Sequence, residues 1–231
     1  MRSTSEAFQN APSIRVQKTI KLSRQRKTEA ELIAKEYNLR PVTARVVAAR
    51  GYKVDEVLKN YLTPTLKEGL PDPAKLKNHG AACALIAETV LSGKSIAICS
   101  DFDVDGLSGA SVLHGFLQSI TAQSKVFVPD RFADGYGLNE KMIRQIAAEQ
   151  HCLLVAIDYG TTNLKELALA KELGLKTVVI DHHHVGKTLP PADVFINPNQ
   201  PGCGFADRLL CAAGSTWYLL SGLKKRLPHA Q

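Results

Sequence analysis

Residues 95–106 read SIAICSDFDVDG. A short apolar run, Ser95–Cys99, breaks at Ser100 into three acids at alternate positions, Asp101, Asp103 and Asp105, followed by Gly106. An apolar run that ends in a polar turn has the form of a strand buried on both faces. The form recurs downstream at Lys125–Val128, Leu153–Ile157 and Thr177–Ile180. Helical segments separate these runs, at about Leu107–Ile120, Asn139–Gln150 and Leu164–Leu173, the last closed by Gly174. A final helix is expected over about Ala212–Lys225. Near-continuous apolar strands alternating with amphipathic helices predict an α/β fold, a parallel sheet flanked by helices on both faces.

Upstream of residue 76 the pattern differs. Residues 12–27, PSIRVQKTIKLSRQRK, are basic and poor in acids, and residues 1–27 are expected to form a basic flexible arm. Residues 28–75 are expected to hold a small helical N-terminal region and a linker. Ala30, Leu32, Ile33 and Tyr37 have helical spacing, as do Val42, Val46 and Val47 after Pro41. Val54–Leu62 gives a further short helix stopped by Pro64, and the Pro-, Gly- and Asp-rich residues 63–75 read as the linker. The α/β domain is expected over 76–231, opening with the apolar helix Ala81–Leu91 that stops at Ser92-Gly93.

Composition narrows the function. The 231 residues are 45% hydrophobic and 22% charged, which allows a sizeable buried core. Net charge is +7 and the sequence pI is about 9.2, so the chain is attracted to polyanions, of which nucleic acid is the commonest in a cell. The five cysteines (Cys83, Cys99, Cys152, Cys203, Cys211) form no Cys-x-x-Cys pair, which argues against a disulfide framework or zinc ribbon and for a reducing compartment. No apolar run reaches membrane-span length and no signal-peptide core opens the chain, so a cytoplasmic protein with no membrane association is expected.

Three of the four predicted strands run into acids: Asp101, Asp103 and Asp105 after the first, Asp158 after the third, and Asp181-His182-His183-His184 after the fourth. In an open parallel sheet ligands bind outside the carboxyl ends of the strands, so these groups converge on one edge. Crowded carboxylates repel one another and are kept together by cations. Carboxylate with imidazole suits manganese, magnesium and similar ions, and two such ions can hold a phosphate and activate water. If extended, Asp101, Asp103 and Asp105 point the same way, unless Gly106 bends the segment. A calcium loop is disfavoured because Val112 stands at the twelfth position from Asp101. An acidic turn capping the following helix remains an alternative. In residues 129–138, PDRFADGYGL, Arg131 has the fork for a phosphate and Gly135 and Gly137 permit close backbone approach. The same stretch also reads as a Gly-rich turn before a helix capped by Asn139.

These residues resemble the DHH phosphoesterase superfamily, most closely its RecJ branch. The resemblance rests on Asp181-His182-His183, the 101–106 acidic run and Asp158-Tyr159-Gly160, with 129–138, Asn197-Pro-Asn-Gln-Pro-Gly-Cys203, Arg50-Gly51 and the Leu62-Thr-Pro segment in support, and covers about residues 28–227. It implies a 5′→3′ single-stranded-DNA exonuclease that releases mononucleotides and uses two divalent cations, Mn2+ or Mg2+. By the same resemblance Asp101, Asp103, Asp105, Asp158, Asp181, His182 and His183 are metal ligands. Asp158, His182 and His183 are the catalytic set, and Arg131, Gly135, Tyr136 and Gly137 bind substrate. Single-stranded DNA is the implied partner, with recombination or repair proteins beside it and oligomeric state open. Alternatives are another DHH-type phosphoesterase acting on small nucleotides or pyrophosphate, and an inactive DNA-binding fragment or scaffold. Departures from the family pattern are Phe102 in place of Tyr, Tyr159 in place of Asn or Cys, and Ala212 in place of the first Gly of a Gly-x-Gly. The family continues into a fourth metal-binding Asp and a second domain, so a truncated or fragmentary chain is expected.

Overall fold

The computed structural model describes residues 26–65, 69–205 and 210–227. The expected arm lies outside the described residues apart from Arg26 and Lys27. The chain divides into two compact units, Met1–Gly69 and Leu70–Gln231.

In the first unit, α1 (Lys27–Glu36), α2 (Pro41–Ala49) and α3 (Glu56–Leu62) bury Ala30, Ile33, Ala44, Val47, Ala48 and Leu58 against one another. Pro41 opens α2, where its missing N–H costs nothing. Asp55 caps α3 by accepting from Leu58 N at 2.9 Å.

In the second unit, Pro73–Lys75, expected within the linker, forms a 3-10 turn capped by Asp72. Then follow α4 (His79–Leu91), β1 (Ile96–Ser100), α5 (Val104–Ser119), β2 (Ser124–Phe127), α6 (Glu140–Ala148), β3 (Leu153–Ile157), α7 (Leu164–Glu172), β4 (Lys176–Ile180), β5 (Val194–Ile196) and α8 (Ala212–Arg226). The five strands lie in the order β2-β1-β3-β4-β5 and every pairing is parallel. Successive strand residues point to opposite faces, which splits the core in two. Ile96, Ile98, Leu153, Val155 and Ile157 pack with Ile86 of α4, Leu113 of α5 and Leu219 of α8. Ala97, Cys99, Leu154 and Ala156 pack with Ile143 of α6 and Leu167 of α7. The sheet is thus covered on both faces, as its apolar strands predict. Among the described residues no helix is long and apolar enough to cross a membrane.

Two local expectations are corrected. A fifth strand, β5, extends the sheet beyond the four expected. Its three residues are too short for a periodic signal, and Pro190 and Pro191 precede it. Helix α5 starts at Val104, not Leu107, because Asp103 caps it by accepting from Asp105 N and Gly106 N at 2.9 and 3.1 Å. Asp105 therefore stands on the first turn of a helix and does not alternate with Asp101 and Asp103 along an extended segment.

Two glycines of α5 test the packing. A Cβ on Gly109 would lie 2.7 Å from Ile157 Cγ2 and 3.3 Å from Thr216 Oγ1, whereas one on Gly115 would meet nothing within 4 Å. Gly-to-Ala in a helix interior gains about 1 kcal/mol, but forcing a methyl against a stiff, fully buried β-branched side chain costs about 1–3 kcal/mol. Gly115→Ala is therefore expected to stabilise the protein and Gly109→Ala to destabilise it, measured as opposite shifts in the midpoint of urea unfolding.

Candidate metal centre

The strand order reverses between β1 and β3: the chain leaves β1 for β2 on one side and continues from β3 to β4 and β5 on the other. Such a switch point opens a crevice at the carboxyl ends of the strands. Ser100, Ile157, Ile180 and Ile196 are the last residues of β1, β3, β4 and β5, and they pair in register. The next residue of each strand is Asp101, Asp158, Asp181 and Asn197. These four form a row across the crevice. Asp101 N donates to Ile157 O at 3.4 Å, Asp158 N to Ile180 O at 2.9 Å, and Asp181 N to Ile196 O at 3.0 Å.

Two groups of possible ligand atoms gather here, each with its atoms within 4.8 Å of one another: Asp158 with His182 and His183, and Asp101 with Asp103 and Asp158. Asp158 belongs to both. It holds a left-handed backbone (φ 69°), uncommon outside glycine and concentrated at functional sites. Gly160 completes the turn at φ 114°, where a Cβ would lie 2.7 Å from Val179 Cγ1. Asp158 Oδ1 is buried and, among the described residues, accepts no hydrogen bond. His182 Nε2 lies 3.2 Å from it, and both residues belong to one of the two candidate ligand groups. An unpartnered buried carboxylate oxygen is costly, and a cation between it and the imidazoles removes that cost. The donor set of carboxylates and imidazoles fits Mn2+ or Mg2+.

The other acids are engaged elsewhere. Asp181 lies in neither group. Its Oδ1 accepts from His182 N, His183 N and His183 Nδ1 at 2.7, 3.1 and 2.7 Å, and its Oδ2 from Thr161 N at 2.9 Å. The bond to Nδ1 leaves His183 Nε2 free to act as a ligand. Asp105 is also outside both groups. Its oxygens accept from Ala212 N and Ala213 N at 2.8 and 2.9 Å, at the start of α8, and Oδ2 lies 3.5 Å from His182 Nε2.

Protonation follows these partners. Burial and then the Asp105 and Asp103 charges push the Asp158 carboxyl up to about 8. Burial pushes Asp181 up too, but the bonds from Thr161 and His183 outweigh it and hold the group below its ordinary value. The Gly106 amide holds Asp103 low, and burial raises Asp101. Burial lowers His183, but its bond to Asp181 leaves it raised.

The 129–138 loop meets the site through aromatic rings. The Arg131 guanidinium lies 5.4 Å from the Phe102 ring centroid, and Phe102 meets Tyr136 edge to face at 6.3 Å. The Tyr136 hydroxyl donates to Asp158 O at 3.4 Å, and burial with the nearby carboxylates pushes its phenol up to about 12. Gly135 and Gly137 take left-handed angles of 77° and 91°. Asn139 caps α6 by accepting from Met142 N.

Asn197 and Asn199, which the sequence offers only as part of the 197–203 motif, and Thr161, to which it gives no role, border the centre. Asn197 Nδ2 donates to Thr161 Oγ1 and His183 O, and Asn199 Nδ2 to His182 O. The available signal was the apolar triplet 194–196 running into Asn-Pro.

Comparison with known proteins shows the family. The model of the DHH family, N-terminal domain, matches residues 95–230. The single-stranded-DNA-specific exonuclease RecJ of Bacillus subtilis (strain 168) is 32% identical over 196 residues, 85% of this chain and 25% of that protein. A crystal structure of exonuclease RecJ bound to manganese superposes with a TM-score of 0.61 at 34% identity, covering 68% of this chain and 39% of that one. RecJ from Thermus thermophilus in complex with Mn2+ gives a TM-score of 0.66 at 29% identity, covering 87% and 28%. The chain spans about a quarter to a third of the length of the curated relatives it matches. By its fold, its strand-end acids and the matching of most of its second unit, the chain belongs to the DHH family.

Proposed function

We propose that this chain is the DHH unit of a metal-dependent single-stranded-DNA exonuclease that works 5′→3′ and releases mononucleotides. One observation carries the reading: two candidate ligand groups share Asp158, whose buried Oδ1 has no hydrogen-bond donor among the described residues. Asp101, Asp103 and Asp158 would hold one Mn2+ or Mg2+, and Asp158, His182 and His183 the other. When bound, such cations supply Lewis acidity toward phosphoryl oxygens and lower the pKa of water.

The protein groups supply orientation and charge. Asp181 keeps a proton on His183 Nδ1 and directs its Nε2 into the crevice. Asp105 acts beside His182 and anchors α8. Arg131, stacked on Phe102, presents its fork to a phosphate, while Gly135, Tyr136 and Gly137 let the backbone approach it. Hydrolysis would add water at phosphorus as the phosphodiester bond after the first residue breaks, with the leaving oxygen taking its proton from solvent, while His182 and His183 would act through the cation they hold. The net charge of +7 draws in a polyanion. The relatives are named as single-stranded-DNA-specific exonucleases, which supports this substrate class. We extend the reading to a cytoplasmic protein working with recombination or repair proteins.

Incubating the chain with a 5′-phosphorylated, labelled single strand and Mn2+ is expected to release mononucleotides, and chelation to stop it. Asp158→Ala and His182→Ala are each expected to lower the rate by about 10²-fold or more. Undiminished cleavage by either variant overturns the assignment. Faster turnover of dinucleotides or pyrophosphate would move it to a small-substrate phosphoesterase, and DNA binding without cleavage to a scaffold.

Asp158 also gives a pH prediction for the chelated protein. Its folded pKa of about 8 lies above the unfolded value of about 4. The folded state thus holds this proton more tightly, and the contribution of Asp158 to stability is fully present below pH about 4 and is lost as pH rises to about 8. Asp158→Asn is expected to flatten that decline in thermal melts run in chelator. A variant with the wild-type pH profile would show that Asp158 does not cause it.

A further inference from the structure

We infer that Asn197 and Asn199 are positioning residues of the metal centre, holding the backbone of His182 and His183 from the side opposite Asp181. The inference rests on the metal-site reading above.

Strand β4 ends at Ile180, so the sheet ladder does not fix the histidine pair that follows. Other bonds grip it on two sides. Asp181 Oδ1 takes the N–H groups of His182 and His183. Asn199 Nδ2 donates to the His182 carbonyl at 2.7 Å and Asn197 Nδ2 to the His183 carbonyl at 3.0 Å. Asn197 is fully buried, and its Oδ1 accepts from Asn199 N at 2.8 Å, which turns its amide nitrogen toward His183 O and Thr161 Oγ1. Thr161 N in turn donates to Asp181 Oδ2, closing a ring of bonds through residues that follow β3, β4 and β5.

A plain turn does not need these bonds. The 197–200 turn is closed by Asn199 N to Asn197 Oδ1 and by Gln200 N to Asn197 O at 3.1 Å. The amide nitrogens of both asparagines are left over, and both land on consecutive carbonyls of the ligand residues. Pro198 between them fixes its own φ and stiffens the span. Gln200 supplies a control. It is buried in the same turn but directs its amide to Phe195 O at 3.0 Å, away from the histidines.

The test uses the full chain and three readouts: Mn2+ titration calorimetry, metal-free melting, and metal-free imidazole ¹H–¹⁵N spectra. Asn199→Ala, with Asn199→Ser as the milder replacement should the first not fold, is expected to weaken Mn2+ binding by about 10–100-fold, as loss of an outer partner of a metal ligand does. Its metal-free melting temperature should fall no further than that of Gln200→Ala, which should keep wild-type affinity. Wild-type Mn2+ affinity in the folded Asn199 variant, or equal weakening by Gln200→Ala, overturns the inference. If the wild-type chain binds no Mn2+, the metal reading fails, and the spectra then decide the positioning role separately. Histidine resonances shifted by Asn199→Ala but not by Gln200→Ala support it, and unchanged resonances refute it.

Discussion

The register of four parallel strands is the constraint on which the rest depends. Because Ser100, Ile157, Ile180 and Ile196 pair in line, the residues after them emerge side by side. Three of these four are aspartates, and each of their amides is tied to the last carbonyl of the neighbouring strand. A one-residue slip in any pairing would turn that strand's apolar residues to the wrong face, so the two cores that bury the sheet also fix the row of acids. Stability and site geometry are therefore one property of this fold.

The row carries a charge problem that hydrogen-bond donors divide unequally. Two carboxylates 4 Å apart repel by about 4 kcal/mol at an effective dielectric near 20. A helix N-terminus offsets only about 0.3–1 kcal/mol of this. Asp181 is quenched by four N–H donors, Asp105 by the first amides of α8, and Asp103 by those of α5. Among the described residues Asp101 accepts from Phe102 N alone. Asp158 Oδ1 has none among the described residues, and burial with the Asp105 and Asp103 charges pushes the Asp158 carboxyl up to about 8. The residual repulsion exceeds what helix ends supply, and a cation between these groups, or a proton on Asp158, would relieve it.

Much of this was legible in the sequence, and the gaps have physical causes. Long apolar runs such as Leu153–Ile157 declare buried strands, and carboxylates at their ends declare the site edge. The α5 boundary was misplaced because Asp103 could be read as a ligand or as a cap, and its one carboxylate is positioned to be both. Strand β5 was invisible because Val194–Ile196 is too short to show a period. It pairs in the sheet only through β4, a tertiary effect no local window records. With β5 unseen, the place of Asn197 beside Asp181 could not be inferred. The separation of Asp105 and Asp181 from the two ligand groups was equally hidden, since it depends on which N–H groups arrive from α8 and from Thr161.

The three departures from the family pattern lose their force once the contacts are known. Phe102 offers its ring to the Arg131 guanidinium and to Tyr136, contacts that need an aromatic face and edge and no hydroxyl. Tyr159 is buried, with its hydroxyl against Met142 Sδ at 3.9 Å on the α6 side of the sheet, so the identity of that side chain is a packing matter. Ala212 contributes its backbone N–H to Asp105, a bond that glycine and alanine make alike. In each case the contact at that position is made by ring surface, packing or backbone. The three residues therefore leave the charges and donors around Asp158 unchanged.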